Sequence, residues 1–384
     1  SGETHVHRTV KELPTLMLAE DLNVAFPLTA WVTDTRDTPA LNSKNPDPVP
    51  PPKLIEVDRT HVIWPVNTEY EIFTVNGNRH TLGAVFILNH TNPLQMSAPP
   101  VSPIAAEARR QGAILELDKH NWPWSMMLVP VMKVGLFELS NNHLWRTKFQ
   151  FQTWYPEYAG EYMDIEMDEV GFTEPGWVDF GFKNYYALLN SGFDMKPTAG
   201  TASGVHPVPL GFGRVYVKID GRFTYEKWLD GLLAGRSFVT TGPMLETEFK
   251  RNENAVTVSG VYAFDHPYFF FSVELIVNGK PQASLSLDVQ THVNLGKIGF
   301  SFDYELEGTS WLAVRVVEKN RSRFAHTAPV WFEVPGKPLK PRPEEVAYLT
   351  KRVKDELVRH EGVLEESALA EYRQALRYYQ SLLD

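Results

Sequence analysis

The stretch GAILELDKHNWPW, residues 112–124, indicates how the first part of the chain folds. Residues 113–117 form a mainly apolar run that predicts a short buried strand. His120 follows just beyond the carboxyl end of that run, beside Trp122 and Trp124. Loops at the carboxyl ends of strands converge on one pocket in α/β folds. We therefore expect an α/β fold in which His120 lines a pocket, with a packed structural histidine as the alternative.

The same pattern recurs along residues 1–243, which we predict to be an α/β domain. Further apolar runs predict strands at residues 24–32, 83–89, 135–139 and 214–217. Helical composition and apolar spacing predict helices at residues 103–111 and 225–234.

The pattern changes after residue 243. Residues 244–336 alternate between polar and apolar residues and contain Asn-Gly and Glu-Gly turns, which predicts a small antiparallel β-sandwich. Residues 337–384 are a proline-punctuated linker followed by a helical segment that breaks near Gly362. The apolar stripe of these helices predicts either self-association into an oligomer or docking on their own domain.

Composition excludes several classes of protein and site. The chain has 384 residues and a formal net charge of −10, which argues against a nucleic-acid partner. It has no cysteine, so any metal ion must be held by nitrogen and oxygen ligands. We expect neither a membrane-spanning apolar run nor a signal peptide in this sequence, with removal of an upstream segment as the alternative. We expect a soluble protein. Its compartment stays open between the cytoplasm on one side and the periplasm or a secreted location on the other.

Two short motifs contain residues that commonly bind metals. In His5-Val6-His7, residues two apart on a strand point to the same side, so both imidazoles can reach one ion. The alternative is a surface pair or the remnant of a tag. Glu71 is flanked by apolar residues, and a carboxylate there is costly to bury unless it is paired or ligated. The alternative is a solvent-facing glutamate on an edge strand.

Three further elements each follow or precede a predicted strand. His80 lies in NRHTLGAVFILN, while His143 and Arg146 lie in GLFELSNNHLWR. His206 lies in the glycine-rich PTAGTASGVHPVPLGFGRVYV, where glycines allow a close approach of the backbone to a ligand. Each has an ordinary alternative in packing or turn formation. Together with His5 and His120, however, their common position near strand ends favours a shared metal site.

The order of these elements resembles the PHP-type metallohydrolases, and most closely the CehA/McbA family. The resemblance covers about residues 1–336 and rests on these motifs: GETHVHR, GFKNYYALLNSGFDMKPTAGTASGVHP, WLDGLLAGRSFVTTGPML, VELIVNGK, WLAVRVVEK and FAHTAPVWFEV. It implies a distorted (β/α) barrel of parallel strands with metals at the carboxyl ends of the strands. The β-sandwich and the C-terminal helices would follow this barrel.

The resemblance also implies a set of ligands. His5 and His7 would bind the first metal, Glu71 would bridge, and His80 and His120 would complete a second position. Two departures from the family pattern reduce the number of metal ions that we expect. Thr33-Asp34-Thr35 lacks a family histidine, and Gly200-Thr201-Ala202 lacks a family aspartate. His206 or His143 would substitute. We expect one or two divalent ions, with zinc ahead of manganese or iron.

The expected activity is metal-dependent hydrolysis, in which a metal-bound hydroxide attacks an amide, carbamate or ester bond. Asp34 and His143 are the candidate acids for the leaving group, and Arg146 is a candidate for stabilising negative charge. A cluster of tryptophans suggests a small aromatic or hydrophobic substrate, or else simple core packing: Trp31, Trp122, Trp124, Trp145 and Trp154. The alternatives are a phosphoesterase with the same site and a degenerate binding protein without activity.

Overall fold

The computed structural model describes residues 1–39, 48–142, 152–263, 270–288, 297–318 and 323–383. Within these ranges the chain is a mixed α/β protein. Its helices are α1 (Leu13–Glu20), α2 (Ser102–Arg110), α3 (Ser125–Met132), α4 (Glu174–Asn190), α5 (Tyr225–Leu233), α6 (Pro343–His360) and α7 (Glu366–Ser381), with short 3-10 helices at Pro156–Tyr158 and Glu161–Met163. None of the helices in these ranges is both long and apolar enough to cross a membrane.

The described strands form three hydrogen-bonded sheets. In chain order the strands are β1 (Gly2–Val6), β2 (Val24–Pro27), β3 (Ala30–Asp34), β4 (Ile55–Glu56), β5 (Val62–Ile63), β6 (Thr68–Val75), β7 (Asn78–Leu88), β8 (Ile114–Leu117), β9 (Leu136–Ser140), β10 (Lys196–Ala199), β11 (Arg214–Val217), β12 (Ser237–Thr240), β13 (Met244–Asn252), β14 (Ala255–Ala263), β15 (Phe270–Val277), β16 (Lys280–Asp288), β17 (Lys297–Glu305), β18 (Ser310–Glu318), β19 (Phe324–Thr327) and β20 (Val330–Phe332).

The largest sheet joins the two halves of the sequence. Its strand order is β16-β15-β18-β19-β12-β11-β1-β2-β5-β4, and β20 pairs with β18. The three-stranded sheet β13-β14-β17 covers one end of it, and the two antiparallel layers enclose a second apolar core that includes Val258, Tyr262, Val273 and Val314. Hydrogen bonding is thus continuous across residue 243, and the domain boundary at that residue stays a prediction.

The second large sheet has the order β10-β9-β8-β7-β6-β3. Its β3-β6, β8-β9 and β9-β10 pairs are parallel, whereas β6-β7 and β7-β8 are antiparallel. The expected barrel of alternating parallel strands and helices is therefore not confirmed. Strand β1 of the first sheet lies against the second, because Thr4 donates a hydrogen bond to Oε1 of Glu116 in β8 at 2.7 Å.

The strand predicted at residues 24–32 is two strands in different sheets. Strand β2 belongs to the first sheet and β3 to the second, so the chain crosses between the sheets at residues 28 and 29. Pro27 lacks an amide hydrogen and cannot donate to the sheet ladder, and the amide of Leu28 makes the last bond to β1, to the carbonyl of Val6 at 2.8 Å. The Thr29 hydroxyl instead donates to the carbonyl of Pro65 at 2.8 Å. A continuous apolar run does not reveal such a crossing.

The C-terminal helices α6 and α7 pack on the main core. Their apolar residues belong to the same buried cluster as the second sheet: Leu349, Val353, Tyr372, Ala375 and Tyr379. The stripe considered for self-association is thus buried within the chain, and oligomer formation stays a prediction.

A buried carboxylate anchors α6 to the preceding part of the chain. Oε1 of Glu356 accepts a 2.6 Å hydrogen bond from the Tyr158 hydroxyl, and its Oε2 accepts one from Nε of Arg359 at 2.8 Å. His360 also approaches this carboxylate, at 3.1 Å. Burial alone would raise the pKa of Glu356, but the contact with His360, the positive charge of Arg359 and the hydrogen bonds from Arg359 and Tyr158 outweigh it and lower the pKa from 4.5 to about 2.

We predict that Glu356→Gln destabilises the protein in a pH-dependent way. A carboxylate whose folded pKa lies below its unfolded pKa stabilises the fold above the unfolded value, by about 3 kcal/mol for this shift. This contribution disappears as pH falls from 4.5 towards 2. Urea unfolding of the wild type and the variant should therefore differ most at pH 7 and converge in acid. The exposed Glu361→Gln is the control, and a pH-independent difference for Glu356→Gln would contradict this explanation.

Candidate metal centre

The His5 and His7 side chains converge at the carboxyl end of β1. Their Nε2 atoms lie 3.2 Å apart, and Oε2 of Glu69, in β6, lies 3.4 Å from Nε2 of His7. One ligand atom from each of the three residues lies within 4.8 Å of the others. Two imidazole nitrogens and one carboxylate oxygen suit zinc, manganese or iron. The residues present therefore fit a divalent metal ion.

His5 is held by a second buried carboxylate. Its Nδ1 lies 2.9 Å from Oε1 of Glu138, in β9. Burial lowers the pKa of His5 well below its usual value, which keeps the ring neutral. When Nδ1 carries the hydrogen and donates it to Glu138, the Nε2 lone pair faces His7. Metal-binding histidines are commonly oriented by a carboxylate in this way.

His7 is positioned by Trp31, in β3. The two rings stack with their centroids 4.4 Å apart and an interplanar angle of 29°. The indole Nε1 of Trp31 donates a hydrogen bond to Oε2 of Glu71 at 2.9 Å. Glu71, which we predicted as the bridging ligand, therefore contacts the ring that packs on His7, while a carboxylate oxygen of Glu69 lies 3.4 Å from Nε2 of His7.

A buried ion pair lies behind His5. Nζ of Lys119 is 2.9 Å from both carboxylate oxygens of Asp118, the residue that follows β8. Burial disfavours both charges, but each stabilises the other, so the pKa of Asp118 is lowered and that of Lys119 is raised. Burial raises the pKa of Glu138, and the charge of Asp118 raises it further.

The glycine-rich loop after β10 crosses the end of β1. At Gly200 an added Cβ would lie 2.1 Å from Cβ of His5 and 2.2 Å from Oε1 of Glu138, so only glycine fits there. Glu3 anchors the loop by accepting amide hydrogen bonds from Thr201 and Gly211, at 2.7 and 2.6 Å. Burial raises the pKa of Glu3 to about 7.

His206 lies on this loop, near the centre. Burial lowers its pKa, and the nearby charges of Lys119 and Asp118 also act on it. A protonated His206 would lower the pKa of His5, and backbone bridges link Val6 to Ser203 and Ser203 to His206. Among the predicted ligands, His5, His7 and His206 are therefore brought into one region.

The other predicted residues have different partners. Nε2 of His80 lies 2.9 Å from Nδ1 of His360, in α6. His120 packs among Phe137, Trp177 and Phe180, and burial lowers its pKa to about 3. Neither histidine belongs to a described group of metal-ligand atoms.

The carboxylate of Asp34, at the end of β3, is held by several hydrogen bonds. It accepts hydrogen bonds from Nε of Arg36 at 2.8 Å and from the amide of Gly77 at 2.8 Å, and it also binds the Thr74 hydroxyl. Burial would raise its pKa, but these bonds outweigh burial and hold the pKa well below its usual value. A carboxylate that stays ionised is poorly suited to the acid role we expected. His143, Arg146 and Trp145 lie outside the described residues.

The remaining tryptophans differ in their surroundings. Trp124 is fully buried in the core. Trp122 contacts Trp154, with ring centroids 5.2 Å apart, and its Nε1 donates to Oδ2 of Asp118 at 2.8 Å. Trp31 and Trp122 thus connect to residues of the centre.

Sequence reasoning missed Glu69, Asp118 and Glu138. All three lie within or directly after mainly apolar runs, in TEYEIF, ILELD and LFELS. An ionisable residue in a buried strand is costly unless it is paired or ligated. That rule, applied to every strand rather than to Glu71 alone, would have identified them.

No protein-family model matches the chain, and no curated protein matches it. Among solved structures, a two-domain protein from Bacteroides vulgatus, described as containing a predicted PHP-like metal-dependent phosphoesterase, is 11% identical. The alignment covers 86% of this chain and 94% of that one, with a TM-score of 0.37.

Two other solved structures match only part of the chain. A DUF3823 family protein from Bacteroides ovatus is 16% identical over 24% of this chain and 56% of its own, with a TM-score of 0.19. Chicken MD-1 complexed with lipid IVa is 12% identical over 24% of this chain and 88% of its own, with a TM-score of 0.14. These scores are too low to assign a family or an activity, and the CehA/McbA resemblance stays a prediction.

We predict that Glu69→Gln and Glu71→Gln, two matched variants of one strand, differ in metal affinity. Loss of the Glu69 carboxylate should weaken Zn²⁺ binding roughly 100-fold or more, since it removes a ligand. Loss of the Glu71 charge should cost about tenfold or less, because an amide oxygen still accepts from Trp31. Calorimetric titration of metal-stripped protein measures both affinities. The reverse order of effects would identify Glu71 as the ligand.

Proposed function

We propose that this chain is a metal-dependent hydrolase whose metal ligands are His5, His7 and Glu69. The observation that carries the proposal is the 3.2 Å approach of two imidazole Nε2 atoms beside the Glu69 carboxylate.

A bound divalent cation supplies Lewis acidity, which activates water and polarises the bond to be cleaved. The side chains around it are already oriented: Glu138 fixes the ring of His5, and Trp31 fixes the ring of His7. Such preorganisation avoids the cost of ordering ligands when metal and substrate bind. His7 is more exposed than His5, so substrate would approach from the side of His7.

We further propose that the bond cleaved is an amide, carbamate or ester. A phosphoryl group needs cationic side chains that converge on it. Among the described residues near the ligands, Lys119 is paired with Asp118, while Arg8 contacts Ser203 at 3.2 Å and Glu12 at 3.9 Å. This pairing supports an acyl substrate, which requires less positive charge than a phosphate.

Removal of metal should abolish hydrolysis. We expect chelator-treated protein to lose at least about 100-fold in kcat/KM on chromogenic acyl substrates, and Zn²⁺, Mn²⁺ or Fe²⁺ to restore the activity. The assay compares an aryl ester, an aryl amide and an aryl carbamate with an aryl phosphate, each with stripped and reloaded protein.

The matched variants are His7→Gln, which should lose activity, and His61→Gln, which should keep it. His61 is buried just before β5, where its Nδ1 lies 2.9 Å from Oδ1 of Asp58, and it belongs to neither group of potential ligand atoms. Faster turnover of the phosphate would favour a phosphoesterase. A purified chain that retains less than one equivalent of metal would favour the non-catalytic binding role.

A further inference from the structure

A second group of potential ligand atoms lies beside the first. Atoms of His5, Asp118 and Glu138 also lie within 4.8 Å of one another, and all three residues are buried. His5 therefore belongs to both groups, but through different ring nitrogens. Its Nε2 faces His7, while its Nδ1 lies 2.9 Å from Glu138 and 3.8 Å from Asp118. The geometry of His5 thus bears on how many ions the centre holds.

A neutral imidazole has one lone pair and one N–H group. If Nε2 binds an ion, Nδ1 carries the hydrogen and donates it to Glu138. A second ion at Nδ1 would require His5 to lose that hydrogen and its bond to Glu138. His5 can therefore bind one cation, through Nε2. Glu138 influences that cation indirectly, because it orients the His5 ring.

The Asp118 carboxylate is already occupied by a cationic side chain. Nζ of Lys119 lies 2.9 Å from both of its oxygens, and Nε1 of Trp122 donates to Oδ2 at 2.8 Å. The side chains of Lys119 and Asp118 are 4% and 0% exposed. A metal ion at Asp118 would have to displace a buried ammonium group or remain next to it, and both arrangements are costly at low dielectric.

We propose that the centre binds a single divalent cation, at His5, His7 and Glu69, and that the Lys119 ammonium takes the place of a second cation at Asp118. This inference rests on the proposed metal site. It gives Lys119 a positioning role: the ammonium balances the carboxylates behind His5, which leaves Nε2 of His5 directed at the ion.

The test is the Zn²⁺ stoichiometry of metal-stripped protein, measured by calorimetry and by elemental analysis after desalting. The wild type should bind one equivalent and Lys119→Gln two, because Asp118 then lacks its cation. The control Lys351→Gln removes an exposed lysine paired with Asp355 on α6 and should bind one. Two equivalents in the wild type, or one in folded Lys119→Gln, would overturn the inference alone. No Zn²⁺ binding by the wild type would overturn the proposed function as well.

Lys119→Gln leaves Asp118 without its partner, and loss of one member of a buried ion pair commonly costs about 3–5 kcal/mol. A crystal structure of the wild type grown with Zn²⁺ therefore provides a test without mutation. We expect one anomalous peak, next to Nε2 of His5 and of His7, with Nζ of Lys119 still on Asp118. A second peak at Asp118, with Lys119 displaced, would overturn the inference.

Discussion

The two nitrogens of the buried His5 ring contact different partners on opposite sides of the ring, and the candidate metal centre depends on this arrangement. Nδ1 binds Glu138, which fixes the orientation of the ring, while Nε2 meets His7. The close packing of Gly200 against both His5 and Glu138 leaves little room for another arrangement. Because burial favours the neutral ring, Nε2 of His5 can accept a hydrogen bond from His7 or bind a cation.

The fold provides this arrangement by packing two sheets against each other. The first sheet carries His5 on β1, and the second carries Glu69 on β6 and Glu138 on β9. The centre therefore forms only when the sheets are packed. Several carboxylates are buried at this junction, and burial raises the pKa of Glu116 to about 8. Such groups oppose folding unless they are paired, so we interpret their presence as a functional rather than a stabilising feature.

The sequence predicted several strands and helices that the structure contains, whereas the metal ligands stay predictions. Short strands at residues 114–117, 136–140 and 214–217 appear where apolar runs predicted them, and the helices break near Gly362 as expected. Those features depend on local composition, which a single sequence contains. The crossing of residues 28 and 29 between sheets and the continuity of the first sheet depend on packing between distant segments, which local patterns do not encode.

The structure groups site residues that differ in part from the predicted set, and the reason is the same. Glu69 and Glu71 lie two residues apart on β6, so both side chains point to the same side of the strand. The sequence pattern of the strand therefore cannot show which of the two lies next to His7. His80 is at the start of β7, close to the hairpin turn that follows β6. The pairing of β6 with β7 places His80 next to His360 in α6. By contrast, His5 and His7 were predictable because the spacing of two fixes both side chains on one side of a single strand.

The most direct measurement of the central claim is X-ray absorption at the zinc edge on protein reloaded with one equivalent of Zn²⁺. We predict a first shell of nitrogen and oxygen at about 2.0–2.1 Å, with outer-shell scattering from at least two imidazole rings. His7→Gln should remove the signal of one ring. A shell of oxygen alone, or a spectrum that this variant leaves unchanged, would show that the ion binds elsewhere and would contradict the account.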